Sequence, residues 1–231
     1  ERARRSPNFR DGVFVNSVPT AMMEPGSTWE MLQHQLFGKE QRVPAVPPPL
    51  VARTAADYAT PPGSGLRVTW IGHATALVEL DGARVLTDPV FSDRCSPSTL
   101  VGPKRFQAPP IALDALPPID LVVVSHDHFD HLDMATVKAL AARGSRFAVP
   151  LGVGAHLEAW GVPAGQVAEL DWEESATVGP LTVTATPARH YSGRNPLRRD
   201  GTLWSSWVVA GPAHRFAGST SPVRTSDCAR S

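Results

Sequence analysis

The sequence predicts an α/β protein in which stacked β-sheets are flanked by helices. Two short strand patterns are joined by Asp81-Gly82, a residue pair typical of two-residue hairpin turns. Further along, an apolar run over residues 121–124, a helical pattern over Met134–Ala142 and a second apolar run over 147–149 form a β-α-β succession. Antiparallel hairpins followed by such a unit favour sheets that are covered by helices rather than an all-α or all-β fold.

The boundaries of the elements follow from turn and capping residues. Asp133 is expected to cap the helix at its amino end, and Gly144 stands just past its carboxyl end. A short helix is predicted over 154–160. The remaining predicted strands cover residues 68–71, 76–80, 84–87, 167–170, 181–186 and 204–210.

Three regions are predicted. Residues 1–62 form an N-terminal extension with a proline-rich segment over 43–49 and a helix over 28–37. Trp29 and Phe37 of this extension are expected to pack on the main domain, the alternative being a lipid-facing surface. Residues 63–217 form the main domain, and residues 218–231 form a polar tail without core periodicity.

Composition excludes several functional classes. Hydrophobic residues make up 42% of the 231 residues, and Lys+Arg equals Asp+Glu at 22 each, so the chain is globular and its charge predicts no nucleic-acid partner. Two cysteines in unlike contexts form no disulfide framework, which favours a cytoplasmic location. There is neither an apolar run that could span a membrane nor a signal peptide. The arginine-rich start allows peripheral membrane contact, although a solvated terminus is the preferred interpretation.

The run His126-Asp127-His128-Phe129-Asp130-His131 directly follows the apolar stretch 121–124. In an extended chain the side chains at i and i+2 point the same way, so His126 and His128 can bind one ion together. Asp130 and His131 follow where the chain turns, and they can face a second ion. Because burying such a cluster without a metal would be costly, the sequence predicts a metal site here.

Other candidate site residues lie at further strand ends. His190 follows the strand pattern 181–186 and is the best candidate for a third ligand beside His126 and His128. Asp88 is equally well interpreted as a turn cap and as an acceptor that orients a ligand histidine. His73 follows Trp70-Ile71-Gly72 in a turn, where it can face the site or cap the next strand; it is expected near the site, either behind a ligand or on the substrate side.

Some polar residues are assigned less firmly to the site. Asp127 alternates away from the two histidines, and Asp133 suits the helix cap, so neither is expected to be a ligand. The basic turn 102–106 is equally well interpreted as a phosphate contact and as a solvated loop.

A pair of divalent ions predicts hydrolysis by activated water, without a covalent protein nucleophile. Asp130 would be the catalytic residue that helps to orient this water. The sequence has no Gly-x-Ser-x-Gly nucleophile motif and no phosphate-binding glycine-rich loop that would favour another mechanism.

The run 126–131 resembles the His-x-His-x-Asp-His signature of the metallo-β-lactamase superfamily. The segments 11–16, 70–75, 86–92, 102–106 and 203–207 are similar to the branch of N-acyl-phosphatidylethanolamine-hydrolysing phospholipases D and its bacterial relatives. The resemblance implies an αββα sandwich with a two-zinc site. It implies that His126, His128 and His190 bind one zinc and that Asp130 and His131 bind the other. The activity it implies is phosphodiester hydrolysis of an N-acylated phospholipid.

The resemblance weakens near residue 219. The family places an aspartate that bridges both metals after Phe-Ala-Gly, whereas this chain has Ser219, and no histidine follows His214. A frameshifted or truncated chain, with an incomplete sandwich, is therefore expected. Two alternatives stay open: a zinc-binding remnant or partner-binding protein with at most a weakly held second ion, and a lactonase or other ester hydrolase of the same fold.

Overall fold

A computed structural model describes residues 1–20, 43–194 and 199–218, together with residues 29, 33, 37 and 38. Most of the predicted helix over 28–37, Ser219 and the tail beyond it therefore lie outside the described residues. Trp29 and Phe37 have exposed fractions of 65% and 78%, so the expected packing of these two side chains on the main domain is wrong. The expectation rested on the usual burial of apolar side chains, but the described cores are filled by strands, helices and loops of the main domain together with Phe14.

Twelve strands and two α-helices make up the described structure. In chain order they are β1 (Phe9–Arg10), β2 (Val13–Phe14), β3 (Leu66–Gly72), β4 (Thr75–Leu80), β5 (Ala83–Thr87), β6 (Leu121–Val123), α1 (Met134–Ala142), β7 (Arg146–Pro150), α2 (Gly154–Ala159), β8 (Val167–Leu170), β9 (Ser175–Val178), β10 (Leu181–Thr186), β11 (Ser206–Ala210) and β12 (Arg215–Gly218). Short 3₁₀ turns cover Ala3–Arg5, Ala55–Tyr58 and Ala164–Gln166.

The strands form two main sheets. The six-stranded sheet has the order β3-β4-β5-β6-β7-β8, antiparallel from β3 to β5 and parallel from β5 to β8. The four-stranded sheet, β12-β11-β10-β9, is antiparallel throughout. The short strands β1 and β2 pair with each other.

The turn between β4 and β5 has the predicted geometry. Asp81 and Gly82 have φ angles of 49° and 85°, which place both central residues in the left-handed region that a type I′ turn requires. Leu80 pairs with Ala83 across the turn, and this pairing sets the register of both strands. The hairpin therefore fixes which side chains of β4 and β5 face each side of the sheet.

The central strands β4 to β7 of the six-stranded sheet are buried on both faces because apolar residues occupy both sets of alternating positions, whereas the edge strand β3 exposes Val68 and Trp70. Leu77, Leu86 and Val122 contribute to a core on one face, where Val137 and Leu140 of α1 also pack. The opposite face packs against the four-stranded sheet through a second core. The core between the sheets consists of Val78, Leu80, Ala83, Val85, Leu121, Val123, Ala148, Leu170, Val178, Leu181, Val183, Ala185, Trp207 and Val209.

This arrangement confirms the prediction of stacked sheets with flanking helices. The described helices pack on the six-stranded sheet, and α1 begins as predicted, with the Asp133 side chain accepting a hydrogen bond from the Ala135 N–H. Within the described residues, no helix is both long and apolar enough to cross a lipid bilayer.

The N-terminal segment is part of this architecture. Phe14 is buried in a third core with Leu151, Trp172 and Trp204. The side-chain amide of Asn8 donates to Asp171 Oδ1 at 2.9 Å. Residues 1–20 therefore pack against the loops at one end of the sheets, which is also the end that carries the predicted ligands.

Candidate metal centre

The predicted ligands follow β6 at its carboxyl end. Val124 continues the strand, and its N–H donates to Ala148 O at 3.1 Å while its carbonyl accepts the Trp207 indole N–H at 3.0 Å. The Ser125 carbonyl accepts the Ser205 N–H at 2.9 Å, which ties the chain to the segment before β11. His126 therefore follows a backbone segment that is held by hydrogen bonds to β7 of one sheet and β11 of the other.

Three histidines form the first cluster. His126 Nε2 lies 2.8 Å from His128 Nδ1 and 3.0 Å from His190 Nε2. The predicted same-side arrangement of His126 and His128 is present, and His190 reaches the pair from the loop after β10. His126 is 1% exposed, so this cluster is removed from water.

The donor set of the first cluster fits a divalent cation. Three imidazole nitrogens converge in this cluster. In neutral rings a nitrogen without a proton carries a lone pair, and a cation between the rings would bind such lone pairs. Nitrogens bound at about 2.0–2.1 Å to a tetrahedral ion lie roughly 3.3 Å apart, so the two contacts of His126 Nε2, at 2.8 and 3.0 Å, would lengthen by only a few tenths of an ångström. Three protein nitrogens leave the fourth position free for water or substrate, as in catalytic zinc sites.

His73, Asp130 and His131 form the second cluster. His73 Nε2 lies 3.1 Å from Asp130 Oδ2, and His131 Nε2 lies 3.6 Å from the same oxygen. The rings of His126 and His131 are 4.2 Å apart between centroids, so the two clusters are contiguous. One carboxylate and two imidazoles thus stand beside the three histidines.

Asp88 is hydrogen-bonded to His131 of the second cluster and to Ser125, the residue before His126 of the first. Its Oδ2 accepts hydrogen bonds from Ser125 Oγ at 2.7 Å and from His131 Nδ1 at 2.7 Å, and its Oδ1 accepts the Ser125 N–H at 2.6 Å. Asp88 is 1% exposed. Because His131 donates from Nδ1, its Nε2 carries the lone pair and faces Asp130. Asp88 is therefore placed as an acceptor that orients His131.

Burial sets the protonation of the histidines. Desolvation, followed by the charges of His128 and His131, lowers the pKa of His190 to about 4. The pKa values of His126 and His128 are lowered by the same desolvation. These rings are therefore neutral at pH 7, which is the form that binds metal ions.

Asp130 is ionised at neutral pH. Desolvation raises the pKa of its carboxyl, but the hydrogen bond from His73 and the charge of His131 outweigh this effect and lower the pKa to about 2. The same hydrogen bond raises the pKa of His73. The second cluster thus offers a charged oxygen ligand.

Both clusters open into one cavity of about 540 Å³. The polar part of its wall includes His73, Asp130, His131 and His190. The apolar part includes Trp207 of β11 and Phe216 of β12, so the four-stranded sheet also contributes to the wall. The complete lining is His73, Ala74, Ala76, Thr87, Asp88, Val123, His128, Asp130, His131, His190, Tyr191, Trp207, Phe216 and Gly218.

Asn16 is a supporting residue that the sequence gives no local reason to single out. Its side-chain amide donates to the His190 carbonyl at 2.8 Å, and its Oδ1 accepts the His190 N–H at 3.1 Å and the Trp204 indole N–H at 3.1 Å. The N-terminal segment therefore positions the third histidine ligand from more than 170 residues away.

Asp127 and Arg194 fasten the His190 loop to the ligand motif. Asp127 points away from the clusters, as predicted, and its Oδ1 accepts the Gly193 N–H at 2.7 Å. The Arg194 guanidinium donates to the carbonyls of Asp127 at 3.0 Å and Leu132 at 2.6 Å. Its Cζ lies 4.0 Å from the centroid of the Phe129 ring. Two loops distant in sequence are thus held as one unit.

The two basic side chains of the turn 102–106 lie in different environments. Arg105 is half-buried, donates to the Val90 carbonyl at 2.7 Å and lies beneath the turn that carries Gly72. Lys104 is exposed. A phosphate contact by this turn therefore stays a prediction.

The family of the chain follows from a comparison with family models. The model described as a β-lactamase superfamily domain matches residues 83–227, which include the whole ligand motif and His190. The chain belongs to the β-lactamase superfamily. Its two stacked sheets and flanking helices are the α/β metallo-β-lactamase fold, and its family is one of metal-dependent hydrolases.

Two relatives from the β-lactamase superfamily illustrate the range of similarity. An uncharacterized protein of Mycobacterium tuberculosis is 50% identical over 227 residues, which cover 94% of this chain and 59% of that protein. The N-acyl-phosphatidylethanolamine-hydrolyzing phospholipase D 1 of Caenorhabditis elegans is 41% identical over 172 residues, covering 71% of this chain and 48% of that enzyme. The chain thus spans about half the length of these relatives.

Among solved structures, the chain is similar to Igni18, a metallo hydrolase from the archaeon Ignicoccus hospitalis. The two chains are 21% identical, the TM-score is 0.47, and the match covers 65% of this chain and 58% of that one.

Proposed function

We propose that this protein is a zinc-dependent phosphodiesterase that acts on an N-acylated phospholipid or a similar lipid phosphodiester. The observation that carries the proposal is the pair of contiguous ligand clusters in one cavity, which apolar side chains also line. The similarity to the nematode N-acyl-phosphatidylethanolamine-hydrolyzing phospholipase D supports the substrate class.

The first cluster would hold one ion through His126, His128 and His190, and Asp130 and His131 would contribute to a second. Imidazole nitrogens with a carboxylate suit zinc among the biological divalent ions. Such ions supply a nucleophilic water at neutral pH and polarise a phosphoryl oxygen. The remaining chemistry depends on side chains of this chain.

Asp130 has the charge needed to orient a water molecule. Its carboxylate is ionised at neutral pH and therefore accepts hydrogen bonds through both oxygens. One oxygen of the carboxylate would bind the second ion, which leaves the other to accept a proton of the attacking water. Asp130 thus holds the water beside the phosphodiester without forming a covalent bond to it.

The apolar part of the cavity wall suits the apolar part of a lipid. Trp207 and Phe216 line the same cavity as the ligand clusters, and Tyr191 lies beside His128 with ring centroids 4.7 Å apart. Apolar and aromatic surfaces next to a charged centre bind an amphipathic substrate through both of its parts. Partner macromolecules are not required by this arrangement, and peripheral contact with a membrane would deliver such a substrate.

The test combines metal analysis with substrate assays. Purified protein is loaded with Zn²⁺, its metal content is measured by mass spectrometry, and hydrolysis of N-acyl-phosphatidylethanolamine in mixed micelles is followed by product release. His126→Ala and His190→Ala are expected to lose the first ion and to lower the rate at least about 100-fold. Lys138→Ala, on the exposed side of α1, is the matched control.

Two results would contradict the proposal. Hydrolysis of lactones or carboxyl esters without hydrolysis of phosphodiesters would show that the proposed substrate class is wrong. Protein that folds and binds zinc but turns over none of these substrates would favour the zinc-binding remnant.

A further inference from the structure

His73 reaches the second cluster from a different element than the ligand motif. It lies in the turn between β3 and β4, 57 residues before Asp130, and its Nε2 approaches Asp130 Oδ2 at 3.1 Å. Its ring centroid lies 5.0 Å from that of His131. One ligand atom from each of His73, Asp130 and His131 lies within 4.8 Å of the other two.

The backbone at His73 is held in an unfavourable conformation. Its φ is 49°, in the left-handed region that residues with a Cβ rarely adopt. Two contacts fix the turn: the Trp70 indole N–H donates to the His73 carbonyl at 2.9 Å, and Thr87 Oγ1 donates to the Ala74 carbonyl at 2.8 Å. Strain of this kind persists where the surrounding structure holds a side chain in a required direction.

The ligand atoms around this turn are suited to binding a divalent ion. His131 uses Nδ1 to donate to Asp88, so its Nε2 lone pair faces the same space as Asp130 Oδ2 and His73 Nε2. Two imidazole nitrogens and one carboxylate oxygen are a common ligand set for first-row divalent ions. An imidazolium–carboxylate pair would account for the His73–Asp130 contact alone, but not for the convergence of His131 Nε2 on the same oxygen.

We propose that His73 is the third protein ligand of the second ion, together with Asp130 and His131. This inference deepens the proposed function and rests on it only for the presence of a second ion. Within the described residues, His73, Asp130 and His131 would then bind the second ion through three ligand atoms, as His126, His128 and His190 would bind the first.

The test measures binding of the second ion rather than turnover. His73→Asn is the preferred variant, because asparagine tolerates a positive φ better than other residues and so preserves the turn. Titration with Zn²⁺ against a competing chelator gives the two affinities, and Co²⁺ loading gives visible and paramagnetically shifted proton spectra. Circular dichroism and the melting temperature establish that the variant is folded, and His73→Gly serves as the second variant.

The expected result separates the two sites. His73→Asn should retain the first ion with unchanged affinity, weaken the second at least about tenfold, and lose one shifted imidazole N–H resonance of the Co²⁺ protein. His190→Ala should instead weaken the first ion. Lys138→Ala should bind both ions like the wild type.

The inference is overturned if His73→Asn binds a second ion with wild-type affinity, even if its turnover falls, because His73 would then contact substrate only. It is also overturned if the wild type binds one ion and His73→Asn leaves that affinity unchanged. Wild-type protein that binds two ions but hydrolyses no phosphodiester would contradict the proposed function while leaving the role of His73 intact.

Discussion

At the scale of single residues, Asp88 links Ser125 to His131 of the second cluster. It follows β5, is buried, and accepts three hydrogen bonds from Ser125 and His131. Its φ of 35° is positive, a conformation that asparagine also tolerates. Replacing it by asparagine therefore changes charge and hydrogen bonding with little change in backbone preference.

Asp88→Asn is expected to weaken metal binding about 10- to 100-fold, because the amide no longer fixes the tautomer of His131. Chelator competition with Zn²⁺ measures the change. Asp114→Asn, at an exposed position, should bind metal like the wild type. Unchanged affinity in Asp88→Asn would mean that Asp88 only caps the turn after β5.

The histidine pKa values predict how the first site responds to pH. A proton competes with the ion once the pH approaches the pKa of a ligand, and the pKa of His190 is lowered from 6.5 to about 4. Affinity at the first site should therefore change little between pH 7 and about 5.5, and fall below that. Calorimetric titration at several pH values tests this. Weakening by more than about tenfold already at pH 6 would indicate ligands with ordinary pKa values.

At the scale of elements, the strand that delivers the ligands could be predicted and the loops that complete the site could not. The apolar run before His126 and the spacing of His126 and His128 locate β6 and one half of the first cluster. The link from Asn16 to His190 has no local signal, because an isolated asparagine amide is equally suited to a turn. The same holds for Arg194, whose contacts depend on how two distant loops meet.

Arg194 stabilises the loop that carries His190 against the ligand motif, and lysine cannot reproduce both its planar stacking and its paired hydrogen bonds. Arg194→Lys is therefore expected to lower the affinity of the first ion about tenfold, with a smaller effect on the second. Chelator competition measures both affinities. Arg189→Lys, at an exposed position of the same loop, is the control. Equal weakening in both variants would show that the loop responds to any loss of arginine.

At the scale of the whole molecule, the two sheets share a core and are also joined by hydrogen bonds of Asp81 at their far end. Asp81, in the β4–β5 turn, accepts hydrogen bonds from the N–H groups of Ala213 and His214 at 2.8 and 2.9 Å and from His214 Nδ1 at 2.6 Å. The His214 hydrogen bond, with the two backbone N–H groups, lowers the pKa of Asp81 from 3.8 to about 2. The alternation of apolar residues predicted the shared core, whereas nothing near Asp81 indicated its partner.

Because the folded-state pKa of Asp81 is below its ordinary value, its contribution to stability is present above pH 3.8 and is lost as the pH falls through about 2. Asp81→Asn keeps the turn conformation and should lower the melting temperature at pH 7. The difference from the wild type should shrink as the pH falls below 4. Thermal melts across this pH range provide the measurement, and a difference that stays constant with pH would assign the effect to the turn instead.

The three nitrogens of the first cluster are brought together by contacts that exist only in the folded chain, from Asn16 to Arg194. An unfolded chain offers the same rings without this arrangement, so the ion binds the folded form preferentially. Each tenfold rise in free metal above the dissociation constant then adds about 1.4 kcal/mol to folding. If the clusters bind metal as proposed, the survival of this protein against proteolysis in a cell is coupled to the cellular supply of that metal, and starvation for it would remove the protein by degradation.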